Sequence, residues 1–523
     1  MSRRSLLSLL VLGVVVVPGI AAGQVTVSNI LQTRIGKDPD DPLPDVPDNR
    51  LTLFDQFNID WFHDELRLGF RFETYKPSDD ATLEYNEFSQ RYAAWNGRSV
   101  QARVGNFEAL FGRGVVLRAF ELPGVIREEF GTPQFGDSRD LDGVKLQVQG
   151  NRFEVTALSG NPRSADAPPT TERRGLVSGG SATFEVLRGV RIGGEYLRLD
   201  ARRTDLSASP RTAEVPGATL QLSLDHWLRR IGADRVSLDT FVEAARVRGI
   251  DLPPASSSPK LDPDEGRGFY FSQNVFLDEI LPSVRWGMSW EYKDYQNFDL
   301  GVNEPPTLVR EHSYALLNRN THVVELNQEE GYQFESLLTV DDWSTLTLNW
   351  SRAQNRNHRR FREFYAELQG DWRGARLSAF HGDSDDESEG LIDRHTFGVH
   401  GLTPLVADNS LEVEVARLTA TRLGGSQSVD FRDDYLAVTW AHAPGIAVTA
   451  VHQTTDDPVE ATDRSSGQVS RRSYSSLTAS LDIGNHGIAV FWGKRRGGLQ
   501  CTAGTCYLVR AFDGVLVTVL SRF

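Results

Sequence analysis

The segment Gly514-Val-Leu-Val-Thr-Val-Leu-Ser-Arg-Phe523 sets Val515, Val517, Val519 and Phe523 on one parity. Successive side chains of a strand point to opposite faces, so this alternation makes one face apolar and leaves the other free. The pattern recurs. Leu66, Leu68, Phe70 and Phe72 alternate with Arg67, Arg71 and Glu73, and Trp286, Met288, Trp290 and Tyr292 alternate with Arg285 and Glu291. Residues 236–247, 346–350, 375–379, 411–415 and 446–452 repeat it. Many such stretches are about ten residues long, which crosses a bilayer when tilted. An apolar face toward lipid and a polar face toward a lumen define a transmembrane antiparallel β-barrel.

Other classes fall away on composition. Mean hydropathy is −0.36, and no second long apolar run follows the N-terminal one, which excludes a helical membrane protein. A barrel escapes this test, because only alternate residues touch hydrocarbon. Met1-Ser-Arg3-Arg4, the apolar run Leu6 to Val17 and the small residues Ala21-Ala22-Gly23 form a signal-peptide pattern. The run is shorter than the roughly 20 residues of a spanning helix. The expected division is therefore residues 1–23 as a cleaved signal peptide and 24–523 as a single barrel domain. Net charge is −15, or about −17 without Arg3 and Arg4, so nucleic acid is excluded as a partner for want of a basic surface.

The connections carry the topology. Tight-turn sequences occur at His63-Asp64-Glu65, Asn96-Gly97, Gly150-Asn151, Arg188-Gly189, Asp341-Asp342, 370–373, Pro444 and Gly484-Asn485. Longer connections alternate with them, among them 34–50, 108–140, 248–266, 297–329, 383–392 and 421–431. Short periplasmic turns and long outer loops are the asymmetry of an outer-membrane barrel. If both ends of the mature chain lie in the periplasm, the strand number is even. An extra strand is then needed at 24–34, and the count becomes about 24, with 22 as the alternative. A propeller would carry a motif at fixed period, and none is present. Trp61, Tyr92, Trp95, Trp227, Trp343, Trp372 and Trp440 fall near predicted strand ends, where an aromatic girdle meets headgroups.

Two loops stand out as candidates to fold into the lumen. The third outer loop, 108–140, is too apolar to dangle in water and carries Arg113, Arg118, Glu121, Arg127, Glu128 and Glu129 as candidate constriction residues. The opposing reading is that these charges pair with the wall and hold a plug. The loop 297–329 crowds Arg310, Glu311, His312, Tyr314, Asn318, Arg319 and His322 into a short span. It is read either as a binding surface or as a polar network that satisfies a packed loop.

No catalytic pattern is present: Ser313 beside His312 gives no nucleophile geometry, and there is no Gly-x-Ser-x-Gly elbow. The chain is not expected to be an enzyme, and no cofactor or metal site is expected. Cys501 and Cys506 sit in one short connection and are expected to form a disulfide in an oxidising compartment. The acidic runs Asp38–Asp48, Asp383–Glu389 and Asp456-Asp457 lack the spacing of a calcium loop and read as solvated loops.

A terminal strand ending in an aromatic resembles the close of bacterial outer-membrane barrels. Gly105-Asn106-Phe107, Phe111-Gly-Arg-Gly114, Leu117-Arg118, Pro305-Pro306-Thr307 and Glu311 to His322 resemble a porin-like family of outer-membrane barrels of unknown function. The resemblance implies the barrel and its location in the bacterial outer membrane, and it implies no substrate. The expected function is a channel or transporter for polar solutes, narrowed by 108–140 and 297–329. The alternative is a non-conducting barrel serving as scaffold or assembly partner of a secretion or surface system. Expected partners are outer-membrane lipid and lipopolysaccharide, and the barrel-assembly machinery through the strand ending at Phe523; a monomer is expected.

Overall fold

A computed structural model describes residues 23–37, 50–77, 84–121, 138–164, 175–201, 211–249, 265–319, 321–323, 325, 328–341, 343–424, 427–462, 469–502 and 505–523. Twenty-four strands form one closed antiparallel sheet in which each pairs with its neighbour in the chain. The first, Gln24–Lys37, pairs on one side with Arg50–His63 and on the other with the last, Phe512–Arg522. Val27 and Phe523 exchange backbone hydrogen bonds of 3.1 and 2.8 Å at this seam. Closure leaves the sheet no edge, the condition for strands to sit in hydrocarbon. The strand demanded at 24–34 by the even count is present, and the count is 24.

The alternation places side chains as the sequence implies. Phe70, Trp290 and Trp350 are exposed on the outside. Glu73, Lys293, Thr347, Asn349 and Ser351 take the inward parity and are buried. Trp61, Trp95, Trp343, Trp372 and Trp440 gather at the end where the turns are short. Tyr92 does not join them. It takes the inward parity, donates its hydroxyl to Asp60, and carries the Arg103 guanidinium 3.6 Å over its ring.

The connection after Arg211–Ser223 holds a six-residue helix, Asp225–Arg230. Two other connections differ from the reading of the sequence. The loop expected at 421–431 is mostly strand, because Asn409–Gly424 and Gln427–His442 run on as a long hairpin. The loop expected at 383–392 likewise shrinks to the gap between Ala375–Asp386 and Leu391–Pro404. In both, alternating polar residues continue the ladder beyond the apolar belt, so hydropathy stops marking the strand before the hydrogen bonds do. No helix among the described residues is long and apolar enough to cross a membrane.

The lumenal plug as candidate functional site

The inward parity is polar along much of each strand but turns apolar at the long-loop end of one sector. Leu141, Leu158, Val177, Leu197, Val215 and Val247 line this patch and are all buried. Outer loop three covers it. Ala109–Phe111 and Leu117–Ala119 form a small hairpin whose Phe111, Val115, Val116 and Leu117 are almost fully buried against the patch. Burying a side chain of this size stabilises by about 1.5–3 kcal/mol, so the hairpin is driven against the wall and not into solvent.

A polar contact fixes its depth. Gly112 and Gly114 have φ of +52° and +94°, conformations that a residue without Cβ adopts at no steric cost. They turn successive backbone N–H groups toward one point, a concavity that binds anions. Glu243 on the wall fills it, accepting from the Arg113 N–H at 2.6 Å.

Loop seven, which follows the strand Val284–Gln296, completes the plug by reaching two separate sectors. Its first part packs on loop three: Arg118 N–H donates to the Val302 carbonyl at 2.9 Å, Asn303 Nδ2 to the Val115 carbonyl at 3.2 Å, and Arg118 pairs with Glu304 at 3.5 Å. Phe298, Val302 and Leu308 extend the same apolar cluster. Its second part, with the short helix Ala315–Asn318, sinks Leu316 and Leu317 into a separate cluster with Tyr365, Phe380, Leu418 and Phe431, further along the sheet. A Cβ on Gly114 would stand 2.8 Å from the Glu304 carbonyl oxygen, and its φ disfavours any other residue. Gly114→Ala is therefore expected to weaken the junction by about 1–3 kcal/mol, read as faster proteolysis within the loops while heat-modified gel migration of the barrel stays unchanged.

Charged groups pin both parts of the loop to the wall. Lys293 pairs with Glu329 and donates to the Thr307 carbonyl at 2.6 Å. His322 lies between Asp386, 2.7 Å from Nδ1, and Glu329, 3.2 Å from Nε2, with its ring stacked 4.3 Å from Phe361. Burial works against a charged His322, but Glu329 and Asp386 outweigh it and raise the ring to about 9. His312 Nε2 faces Glu363 at 3.1 Å, Tyr314 donates to Glu367 at 2.5 Å, and Arg310 pairs with Glu335. Burial, and then the neighbouring Arg496, push Arg319 down to about 10. Arg496 itself pairs with Asp433 and Glu460, each at 2.7 Å.

Of the predicted loop-three residues, Arg118 meets Glu304 and Glu121 meets Arg71, while Arg113 stacks on Phe241 with 5.2 Å to the ring centroid. Arg127, Glu128 and Glu129 lie outside the described residues, as does nearly all of the predicted signal peptide. In the second loop Arg310, His312, Tyr314 and His322 each meet a wall carboxylate; Arg319 is half-buried near Arg496, and Glu311 lines a cavity beside the first part of the loop. Asn318 accepts the Thr321 hydroxyl at its carbonyl, 2.8 Å away. Cys501 stands opposite Cys506 in the register of a small hairpin, Gly498–Thr502 with Thr505–Val509, whose cysteine side chains lie outside the described residues. Sequence reasoning missed the wall partners Glu243, Lys293, Glu329 and Glu363. The available signal was a charge on the inward parity next to apolar inward neighbours, as in Glu195, Leu197 and Leu199. Asp386, read as part of a solvated acidic loop, is buried against His322. Among the described residues no cluster of three or more His, Cys, Asp or Glu is placed to hold a metal ion.

The fold and its plug define a large closed antiparallel β-barrel with loops packed inside it. Residues 1–358 match the model of a family of unknown function (DUF6029), and the chain belongs to that family. Comparison with curated proteins finds no match. Among solved structures the chain is similar to the P pilus usher (PapC) translocation pore, at 10% identity over 96% of this chain and 99% of that one, with a TM-score of 0.43. It is also similar to the siderophore receptor PirA from Pseudomonas aeruginosa, at 12% identity over 97% and 81%, TM-score 0.43. A third likeness is to Pseudomonas aeruginosa OccK11 (OpdR), at 10% identity over 69% and 91%, TM-score 0.35.

Proposed function

We propose that this barrel lies in a bacterial outer membrane and passes polar solutes through its lumen, with the inward loops that begin at Glu108 and Asn297 setting what crosses. One observation carries the reading: apolar inward residues cluster beneath the two loops, while rows such as Gln56, Asn58 and Asp60, which stay half-buried, keep another sector of the wall polar. A barrel used only as a rigid body gains stability by extending its apolar interior, whereas a water path requires polar walls. Polar cavities of about 390 and 620 Å³ lie between plug and wall.

Planar-bilayer recording of the purified protein tests this. Discrete conductance steps are expected, small in the wild type and several-fold larger when Arg118→Gln and Glu304→Gln together loosen the junction. Silence in both proteins, with the barrel folded, would sink the channel reading and favour the scaffold.

A further inference from the structure

The cavity of about 620 Å³ lies where the two loops face the wall. Arg113, Arg118, Arg310 and Glu311 line it from the loops, while Tyr270, Glu291 and Glu335 line it from the strands. Most of these charges are committed. Arg310 pairs with Glu335, Arg118 with Glu304, and Tyr270 donates to Glu291 at 2.8 Å. Arg113 is not: its guanidinium lies over Phe241 and has no carboxylate within ion-pair distance among the described residues. Its backbone is anchored through Glu243, so the side chain is presented into the cavity from a fixed point.

A guanidinium held this way offers a planar fork that matches a carboxylate with two hydrogen bonds. A solute bearing only negative charge would meet Glu291 on the facing wall. A solute bearing only positive charge would meet Arg113. We infer that this cavity binds a small zwitterion of the amino-acid or short-peptide class, its carboxylate on Arg113 and its ammonium on Glu291. The inference rests on the channel reading for its purpose, but binding is measurable without conduction.

Glycylglycine is the probe, titrated calorimetrically into detergent-solubilised protein and added separately to planar bilayers. Arg113→Gln is expected to lower its affinity about tenfold or more, the usual weight of a charge-assisted hydrogen bond. Glu291→Gln is expected to do the same. N-acetylglycine and glycinamide, each missing one charge, are expected to bind the wild type more weakly by a similar factor. Arg113→Lys keeps the charge without the fork and should fall between, which covers the case in which the glutamine variant folds poorly. Equal affinity for glycylglycine and for N-acetylglycinamide, or unchanged binding in Arg113→Gln, overturns the site. Arg113-dependent binding in a protein that does not conduct retains the site and removes the channel; conduction without binding does the reverse.

Discussion

Lys293→Met is expected to destabilise the plugged barrel by about 3–5 kcal/mol, the cost of leaving a buried carboxylate without its cation. Lys293 and Glu329 are 0% and 2% exposed, so water cannot replace the lost partner. The variant also releases the Thr307 carbonyl, next to the Pro306 carbonyl that accepts the Tyr295 hydroxyl of the same strand. His322 remains on the other oxygen of Glu329, which sets the loss toward the lower part of the range. The double variant Lys293→Met/Glu329→Leu removes both charges of the pair, and it is expected to recover part of the loss, because apolar packing serves the buried position as well as the ion pair does while His322 still loses its contact with Glu329. Urea unfolding from lipid vesicles measures both. A single variant within about 1 kcal/mol of wild type would mean that water reaches the pair.

How much of this was readable beforehand follows from the range of each interaction. A strand announces itself within ten residues through period two, so the ladder, its parity and the even count were legible from stretches such as 66–75 and 284–292. Closure followed from arithmetic on loops and turns, and that arithmetic placed the first strand. The inward fold of residues 108–121 was legible as well, since Phe111, Val115, Val116 and Leu117 in one connection need cover. What covers them was not. Leu141, Leu197 and Val247 come from separate strands and converge only once the barrel closes. Asn303 and Val115 bond across 188 residues of chain, and nothing near either residue encodes the other. The charges show the same limit. Arg118 was visible as one of the spaced arginines in an apolar loop, but whether it faces solute or Glu304 depends on where loop seven crosses. Asp386 failed for a related reason: an acidic run looks solvated until a histidine 64 residues away is laid upon it.

The docking of that histidine makes the plug sensitive to alkali. An exposed His322 ring titrates near its ordinary value of 6.5, while the docked ring is raised to about 9 by Glu329 and Asp386 in spite of its burial. Below 6.5 the ring is charged in both states and its full contribution to docking is present. Between 6.5 and 9 the freed ring loses its proton while the docked ring keeps it, so docking weakens steadily with rising pH; above 9 the contribution is gone. The gap between the two values corresponds to about 3 kcal/mol. Hydrogen exchange of the Tyr314–Asn318 amides, followed from pH 6 to pH 9.5 and corrected for intrinsic rates, reads this directly. That window stays below Arg319, which titrates near 10. Wild type is expected to lose protection across it. His322→Gln, with no charge to lose, is expected to begin lower at pH 6 and to stay level, so that the two curves converge near pH 9. Parallel curves would show that another group drives the loss, and a flat wild-type curve would show that the ring is not charged when docked.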